Sequence, residues 1–226
     1  MLRESPSFLE RRGSFILCML CRYEDSTTVY HTVASILSVR LVSCGDAQTL
    51  DDRAFVGAIV QLLVTILLTQ EETRSTRDSL RSCLFYRTPV SPASIQLYDT
   101  LCLRPRLLTR RYQSFCVNPI AALCLCLFVE DYCVAESIAF SLNKQTLSMA
   151  LLLQANQLLG MLDSPMFMHI RLHLIDIENP SFFAMLRSIY AFLMILPQSK
   201  AYNALQNRLS SLTPLYFVLN GKRCLK

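Results

Sequence analysis

Four cysteines lie within one short apolar stretch, and thiols at this density could bind a metal or form a redox pair. The stretch is FCVNPIAALCLCLFVEDYC, residues 115–133, and the cysteines are Cys116, Cys124, Cys126 and Cys133. Zinc sites usually take paired cysteines from tight loops, but Asn118-Pro119 predicts the start of an apolar helix here. Because a helix turns about 100° per residue, Cys124 and Cys126 point to different faces. We predict that these thiols are small buried hydrophobic groups.

Two other patterns could do chemistry. Cys18 and Cys21 form a C-x-x-C in CMLC, but a redox pair needs an exposed helix start and a lowered pKa, and this pair lies late in an apolar helical pattern. His169 and His173 in HIRLH share a helix face, but Ile170 stands where a metalloprotease has its catalytic Glu. Only one other histidine is present. We predict no enzyme, no cofactor and no metal site; a Cys/His metal or redox protein stays open as an alternative.

The charge balance favours an anionic partner without indicating a nucleic acid. The net charge is +5 over 226 residues, which is small compared with the basic footprint of nucleic-acid-binding proteins. The densest cluster is RPRLLTRR, residues 104–111, which we interpret as a solvated face, with a phosphate or acidic-protein contact as the alternative. The N-terminus MLRESPSFLERRGSF carries charges where a signal peptide needs an apolar core, so we expect a reducing, cytoplasmic setting.

The composition predicts a large buried core. Hydrophobic residues make up 52% of the chain and charged residues 17%, compared with about 25% charged residues in an average domain. The longest apolar run, residues 54–69, is shorter than the roughly 20 residues that span a bilayer. We predict a buried core helix there, while a membrane-inserted helical protein stays open as an alternative.

Helical periodicity and capping residues recur along the chain. Four Ser-Pro or Asn-Pro pairs, at 91–92, 118–119, 164–165 and 179–180, mark helix starts. Together with the apolar periodicity, these pairs predict helices near 8–23, 26–40, 50–69, 71–83, 106–116, 119–130, 131–143, 146–162, 165–176, 180–196 and 198–211; a single helix across 130–131 is the alternative for the pair that meets there. The predicted fold is all-α, a HEAT-like α-solenoid of antiparallel helix pairs. We divide it into N-terminal helical repeats (1–83), a linker or insertion (84–105) and a C-terminal scaffold and partner-binding region (106–226).

Three stretches resemble a known family. CVNPIAALCLCLF (116–128), SPMFMHIRLHLID (164–176) and YAFLMILPQSKAYNALQNRLSSL (190–212) look like the C-terminal region of the vacuole-morphology scaffold of the PIKfyve-type lipid kinase complex. FLERRGSFILCMLC and FVGAIVQLLVTILLT resemble helices that precede these motifs in the family. The resemblance covers roughly residues 8–83 and 106–213.

The resemblance implies a HEAT-type scaffold without catalytic activity. Its expected partners are a Sac-type polyphosphoinositide phosphatase, the PIKfyve-type kinase that makes phosphatidylinositol 3,5-bisphosphate, and other copies of the chain, which form a pentamer in the family. The expected location is peripheral, on the cytosolic face of endosome or vacuole membranes. The family's long N-terminal HEAT array has no counterpart here, so we expect a fragment, a truncated gene model or a reduced homologue.

The motifs nominate the partner-binding residues. Pro197 disfavours helical geometry at Leu196, which predicts a sharp corner with Gln198 and Ser199 exposed. An intramolecular helix hairpin is the alternative use of this segment. Arg171 is interpreted either as an ion-pair partner of a carboxylate such as Asp176 or as an interface anchor. The predicted set is Arg171, Leu172, Pro197, Gln198, Ser199, Tyr202, Asn207, Arg208 and Leu209.

Overall fold

The structure, a computed structural model, describes residues 12–43, 50–85, 118–144, 148–176, 179 and 181–210. Within these ranges, side chains are described except at 38–43, 50–53 and 82–85. The regular elements of the described residues are all helical, which confirms the all-α fold class. The chain divides into two compact units, Met1–Glu130 and Asp131–Lys226. The predicted linker 84–105 lies outside the described residues after residue 85, as does the predicted helix 106–116, so the division proposed from the sequence stays a prediction.

The first unit contains five α-helices in its described part. They are α1 (Ser14–Tyr23), α2 (Ser26–Ser43), α3 (Leu50–Thr69), α4 (Arg74–Phe85) and α5 (Pro119–Phe128), with a 3₁₀ turn at Glu71–Thr73 before α4. Helix α1 packs against α2 and α3, and α3 packs against α4 and α5. Tyr30 on α2 is buried and donates its hydroxyl hydrogen to the carbonyl oxygen of Leu63 on α3, at 2.9 Å. This bond satisfies the phenol inside an apolar core.

The end of α3 is stabilised by side chains of the following segment. The last carbonyls of a helix have no intrahelical donor, and here the hydroxyl of Thr73 and the guanidinium of Arg77 both donate to the carbonyl oxygen of Leu67, at 3.0 and 2.7 Å. Thr73 and Arg77 are both buried. The chain therefore bends by 92° between Ala54–Thr69 and Glu71–Arg81 without leaving these carbonyls unsatisfied.

The apolar run 54–69 forms most of α3. Val60, Leu63, Ile66 and Leu67 are buried, and the hydroxyls of Thr65 and Thr69 bond back to the carbonyls four residues earlier. In the described part of the chain, no single helix meets the length and hydropathy needed to cross a membrane. One bent pair, Ala54–Thr69 with Glu71–Arg81, meets them by length and composition.

Helix α5 is the most deeply buried element. The side chain of Asn118 accepts a hydrogen bond from the backbone nitrogen of Ala121 at 3.0 Å and donates one to the carbonyl oxygen of Gly57 at 3.3 Å. The predicted Asn-Pro cap is therefore confirmed at this position. All side chains from Ile120 to Phe128 are buried, including both cysteines of the helix.

The second unit contains the other described helices. They are α6 (Tyr132–Asn143), α7 (Met149–Leu162), α8 (Met168–His173), α9 (Phe182–Leu193) and α10, at residues 200–210. A 3₁₀ turn at Pro165–Phe167 precedes α8. Glu130, with a φ of 67°, separates α5 from α6, so the elements that meet at 130–131 are two helices.

Helices α6 and α9 form the main packing contact of this unit. Glu136 pairs with Arg187 at 3.2 Å, and the side-chain amide of Asn143 donates to the carbonyl oxygen of Ala191 at 2.8 Å. The residue numbers increase together from the first contact to the second, so α6 and α9 run in the same direction. The apolar face predicted for α9 is buried, at Phe182, Met185, Leu186, Ile189, Leu193 and Leu196. The solenoid of antiparallel helix pairs stays a prediction.

Candidate partner-binding surface

The residues at the end of α7 connect the two sequence motifs of the second unit. Helix α7 ends at Leu162, and Asp163 and Ser164 lead into the 3₁₀ turn that starts at Pro165. The hydroxyl of Ser164 makes no capping bond, so the predicted Ser-Pro cap is wrong in this detail. The segment predicted as one helix, 165–176, is instead a 3₁₀ turn followed by the short helix α8.

Two arginines from different motifs contact these adjacent residues. Arg208 on α10 donates to the carboxylate of Asp163 at 2.7 Å. Arg171 on α8 donates to the carbonyl oxygen of Ser164 at 3.4 Å. Arg171 thus has a backbone acceptor here, whereas the sequence suggested the carboxylate of Asp176. The two guanidinium groups fix α8 and α10 to the end of α7.

An exposed apolar ridge runs along α8 and the turn after it. Met168, Leu172 and Ile175 are 48%, 59% and 76% exposed, and their spacing of four and three residues places them on one helical face. The opposite face is also apolar and carries the buried side chains of Ile170 and Leu174. We name Met168, Leu172 and Ile175 the α8 ridge. Exposed apolar patches rimmed by polar residues mark candidate interaction sites.

The Leu-Pro-Gln-Ser segment lies in the non-helical stretch between α9, which ends at Leu193 rather than at the predicted residue 196, and α10; the sharp corner stays a prediction. Pro197 and Gln198 are exposed. The hydroxyl of Ser199 accepts a hydrogen bond from the backbone nitrogen of Tyr202 at 3.1 Å, so Ser199 is the N-cap of α10. Its side chain is therefore engaged within the chain, whereas Gln198 faces solvent.

The predicted partner-binding residues form two groups rather than one. Ser199 lies at the start of α10 and Arg208 near its end, about 13 Å apart along the axis at 1.5 Å per residue. Leu172, Pro197, Gln198, Asn207 and Arg208 are exposed; Arg171, Ser199 and Tyr202 are half-buried. Leu209 has no exposed surface, so the structure places it in the interior rather than on a binding face.

Met168, Ile175 and Asp163 are not among the residues predicted from the sequence. The spacing of Met168, Leu172 and Ile175 was visible in MFMHIRLHLID. However, Ile170 and Leu174 offer an equally apolar face on the same helix. Sequence alone could not tell which face is buried.

The histidines of HIRLH lie in an aromatic cluster of the second unit. The ring centroids of His169 and His173 are 6.2 Å apart and nearly perpendicular. The hydroxyl of Tyr132 lies 3.0 Å from Nδ1 of His173, and the ring of Phe167 lies 5.9 Å from that of His169. The imidazoles therefore contact aromatic and hydroxyl groups that hold α8 against the start of α6.

Two of the described cysteines, Cys21 and Cys124, have environments that disfavour the thiolate. Burial raises the pKa of Cys124, with a smaller contribution from neighbouring Cys126. Burial also raises the pKa of Cys21, with Cys18, Glu72 and Asp25 adding to the effect. A metal ligand or redox nucleophile needs the opposite shift. Among the described side chains, no three His, Cys, Asp or Glu groups come together as metal ligands; Cys116 lies outside the described residues.

Comparison with known proteins gives consistent matches. A family model described as vacuolar protein 14 C-terminal Fig4p binding matches residues 6–212. The Arabidopsis thaliana protein VAC14 homolog is 31% identical over 222 residues, covering 98% of this chain and 26% of that protein. The Saccharomyces cerevisiae vacuole morphology and inheritance protein 14 is 26% identical over 224 residues, covering 98% of this chain and 22% of its own length.

A third relative agrees with the first two. The Schizosaccharomyces pombe protein VAC14 homolog is 28% identical over 215 residues, covering 95% of this chain and 23% of that protein. The chain spans about a quarter of the length of these relatives. No solved structure matches it.

Proposed function

Because the chain belongs to the vacuolar protein 14 C-terminal Fig4p-binding family, we propose that it is a non-catalytic scaffold that holds a Sac-type polyphosphoinositide phosphatase as its Fig4p-type partner. The observation that carries the proposal is the family match over residues 6–212. The helices of the second unit supply a physical basis, because they leave apolar side chains exposed beside charged and amide groups. Such a mixture is typical of the core and rim of a protein interface.

We assign the centre of the phosphatase-binding surface to the α8 ridge. Exposed Met168, Leu172 and Ile175 would lose their water on binding, and burial of one aliphatic side chain of this size is worth about 1.5–3 kcal/mol. Arg171 precedes Leu172 of the ridge and donates a hydrogen bond to the carbonyl oxygen of Ser164. Its guanidinium thus positions α8 and also lies within reach of a docked partner.

Polar residues of α10 and of the segment before it form the proposed rim. Gln198 and Asn207 are exposed, and Arg208 is 48% exposed although it pairs with Asp163. Rim groups of this kind set orientation more than affinity. The other nominated residues of this segment position α10 itself. The hydroxyl of Ser199 accepts a hydrogen bond from the backbone nitrogen of Tyr202, and Leu209 is buried.

A co-purification experiment with matched variants tests the assignment. The tagged chain is co-expressed with the phosphatase of its own organism, as wild type, as Leu172→Gln and as Leu153→Gln. Leu172 and Leu153 are 59% and 60% exposed, so the two changes replace leucines of nearly equal exposure. We expect Leu172→Gln to weaken binding by about 1–3 kcal/mol, as interface anchors do, and Leu153→Gln to leave it unchanged.

Two outcomes contradict different parts of the proposal. If the wild-type chain does not retain the phosphatase, the scaffold function is wrong for this chain. If both leucine variants bind as the wild type does, the function stands and the α8 ridge is not the binding surface.

We further propose that the chain associates with itself and with the PIKfyve-type kinase, on the cytosolic face of vacuole or endosome membranes. The name of the Saccharomyces cerevisiae relative, vacuole morphology and inheritance protein 14, supports the location. Gel filtration with light scattering tests self-association: a mass several times the 25.7 kDa of one chain supports it, and a monomer at micromolar concentration contradicts it. Co-purification of the kinase from cells that express the tagged chain tests the second partner.

A further inference from the structure

The connection between α7 and the 3₁₀ turn after it contains a serine directly before a proline. Ser164 and Pro165 form the one Ser-Pro or Thr-Pro pair within the described residues. Proline has no backbone N–H, and proline-directed serine/threonine kinases select it because their pocket after the reacting hydroxyl offers no acceptor for that group. We propose that Ser164 is phosphorylated by a proline-directed protein kinase and that Arg171 binds the resulting phosphate.

The backbone of Ser164 already has the extended conformation that kinases require of their substrates. Its φ and ψ are −73° and 160°, because a proline disfavours helical geometry at the residue before it. Helix α7 ends at Leu162, so Ser164 is not held inside a helix. The neighbouring Asp163 and Pro165 are exposed, and Ser164 is half-buried. A kinase can therefore reach this segment by opening the short 3₁₀ turn that follows it.

The hydroxyl of Ser164 does not cap the turn that follows it. Ser148 and Ser199, which precede α7 and α10, differ in this respect. Ser148 accepts a hydrogen bond from the backbone nitrogen of Leu151 at 3.3 Å, and Ser199 accepts one from that of Tyr202 at 3.1 Å. The hydroxyl of Ser164 can therefore react without the loss of a capping bond.

The guanidinium group of Arg171 contacts Ser164 with one edge. Its Nη2 atom donates to the carbonyl oxygen of Ser164 at 3.4 Å, and its Nε atom is buried and has no hydrogen-bond partner in the described part of the chain. Nε and Nη2 lie on the same edge of the planar guanidinium, which matches two oxygens of a phosphate. A phosphate on Ser164 would thus supply acceptors for both donors.

A second arginine makes the surroundings of this serine positive. Arg208 pairs with Asp163 at 2.7 Å and so offsets the carboxylate beside the proposed site. With Arg171 included, two guanidinium groups and one carboxylate meet at the end of α7. A phosphoserine carries a charge of about −1.5 to −2 at neutral pH, so its formation would reverse the sign of the local charge. It would also join α8 to the end of α7 through charge-assisted bonds in place of one long bond to a carbonyl.

The reaction transfers the γ-phosphoryl group of ATP to Oγ of Ser164. The new Oγ–P bond forms as the bond between that phosphorus and the bridging oxygen of ADP breaks, and the hydroxyl proton passes to the catalytic aspartate of the kinase. ATP and the kinase supply all that the step requires.

The labelling test uses the full chain, Mg²⁺-ATP and an activated cyclin-dependent kinase as the proline-directed probe. Peptide mass mapping assigns each phosphate, because Ser-Pro or Thr-Pro pairs also occur at 5–6, 88–89, 91–92 and 213–214. We expect phosphate on Ser164 and none on Ser148, an exposed serine that is followed by methionine. Pro165→Ala should slow labelling of Ser164 by about tenfold or more, since alanine restores an N–H that the kinase pocket leaves unpaired.

Two results of this experiment would overturn the kinase assignment. One is the absence of phosphate from Ser164, and the other is an equal rate of labelling at Ser164 in the wild-type and Pro165→Ala chains. Circular dichroism should show the same helical content in both chains, so that a slower rate reports recognition of the proline.

A second experiment tests the role of Arg171. Phosphorus NMR follows the second pKa of the phosphate, and the signal that is missing from the labelled Ser164→Ala chain belongs to Ser164. A nearby guanidinium favours the doubly charged form, so this pKa should be about 0.5–1 unit lower in the folded chain than in the same chain in urea. Arg171→Gln should remove most of this difference. Arg187→Gln is the control, because Arg187 is 64% exposed and pairs with Glu136 instead, and it should retain the difference.

Equal pKa values in the folded wild-type and Arg171→Gln chains would overturn the assignment of Arg171 to the phosphate. The same holds if Arg187→Gln removes the shift as fully as Arg171→Gln does. None of these measurements depends on phosphatase binding, so their failure and the failure of the proposed scaffold function are distinguishable.

Discussion

The carboxylate of Glu130 lies 3.3 Å from the guanidinium of Arg81, and this ion pair engages a residue with a left-handed backbone. Glu130 has a φ of 67° and is the one non-glycine residue with positive φ in the described chain. Such a conformation costs an L-residue roughly 1–2 kcal/mol. The guanidinium of Arg81 also lies over the ring of Phe128, 5.5 Å from its centroid. The break between α5 and α6 is thus stabilised from a different helix.

Two substitutions of Glu130 separate backbone strain from the ion pair. Glu130→Ala keeps the strain and removes the pair, so we expect it to lower the free energy of unfolding by about 1 kcal/mol, because Arg81 is 41% exposed and solvent screens the pair. Glu130→Gly also removes the pair but relieves the strain, recovering about 1 kcal/mol. Urea denaturation should rank glycine above alanine. Equal stability of the two variants would show that the left-handed backbone carries little strain.

The contact between Arg208 and Asp163 should contribute little to stability. Its side chains are 48% and 49% exposed, and pairs of this kind are worth about 0.2–1 kcal/mol and weaken with salt. A double-mutant cycle with Arg208→Gln and Asp163→Asn, followed by urea denaturation, should give a coupling energy in that range. If Arg208 also contacts the phosphatase, Arg208→Gln should weaken binding more than Asp163→Asn does. If Asp163→Asn weakens phosphatase binding more than Arg208→Gln does, Asp163 rather than Arg208 is the residue that contacts the phosphatase.

Gly160 should be replaceable with a gain in stability. It lies in the last turn of α7, two residues before the end at Leu162, is exposed, and a Cβ atom at this position would meet nothing within 4 Å. Glycine inside a helix is less favourable than alanine by about 0.5–1 kcal/mol, so Gly160→Ala should raise the free energy of unfolding by this amount. Thermal and urea denaturation measure the change, with Gln157→Ala at another exposed position of α7 as a control that moves stability little. A destabilised Gly160→Ala chain would contradict the open surroundings of this residue.

The cysteines should react with thiol reagents in an order set by burial and pKa. Cys133 is exposed, whereas Cys21 and Cys124 are buried and have raised pKa values. A raised thiol pKa keeps the group neutral to a higher pH, so less thiolate is present for alkylation at any given pH. In the folded chain at pH 8, iodoacetamide should modify Cys133 before Cys21 and Cys124 and leave the latter two unmodified until urea is added. Peptide mass mapping that finds Cys124 alkylated early would contradict the buried position of α5.

Helix positions were predictable where local rules and packing agree. The predicted start of α5 at Pro119 is correct because Asn118 caps it and proline suits the first turn. The predicted extent of α3, 50–69, matches the structure, and all six residues of the apolar face predicted for α9 are buried. In each case, one local signal pointed to one arrangement.

The candidate surface was less predictable, since it depends on tertiary packing. Helix α8 has apolar side chains on two faces, and only the folded chain shows that Leu172 is exposed while Ile170 is buried. Leu209 was nominated from its motif and is buried. The acceptor of Arg171 is a main-chain carbonyl seven residues away. Because every residue has a main-chain carbonyl, the residue type does not indicate this acceptor. Sequence patterns therefore identified the segment but not the side of it that meets solvent.

The burial of α5 from Ile120 to Phe128 has a consequence for synthesis on the ribosome. This helix is the last element of the first unit, and its partner α3 is translated well before it. Until Phe128 has emerged, the nascent chain carries the apolar surface of α3 that faces α5 without its cover, and such transient surface attracts chaperones and promotes aggregation. The hydrophobic core of the first unit is therefore complete only after its final helix has been translated.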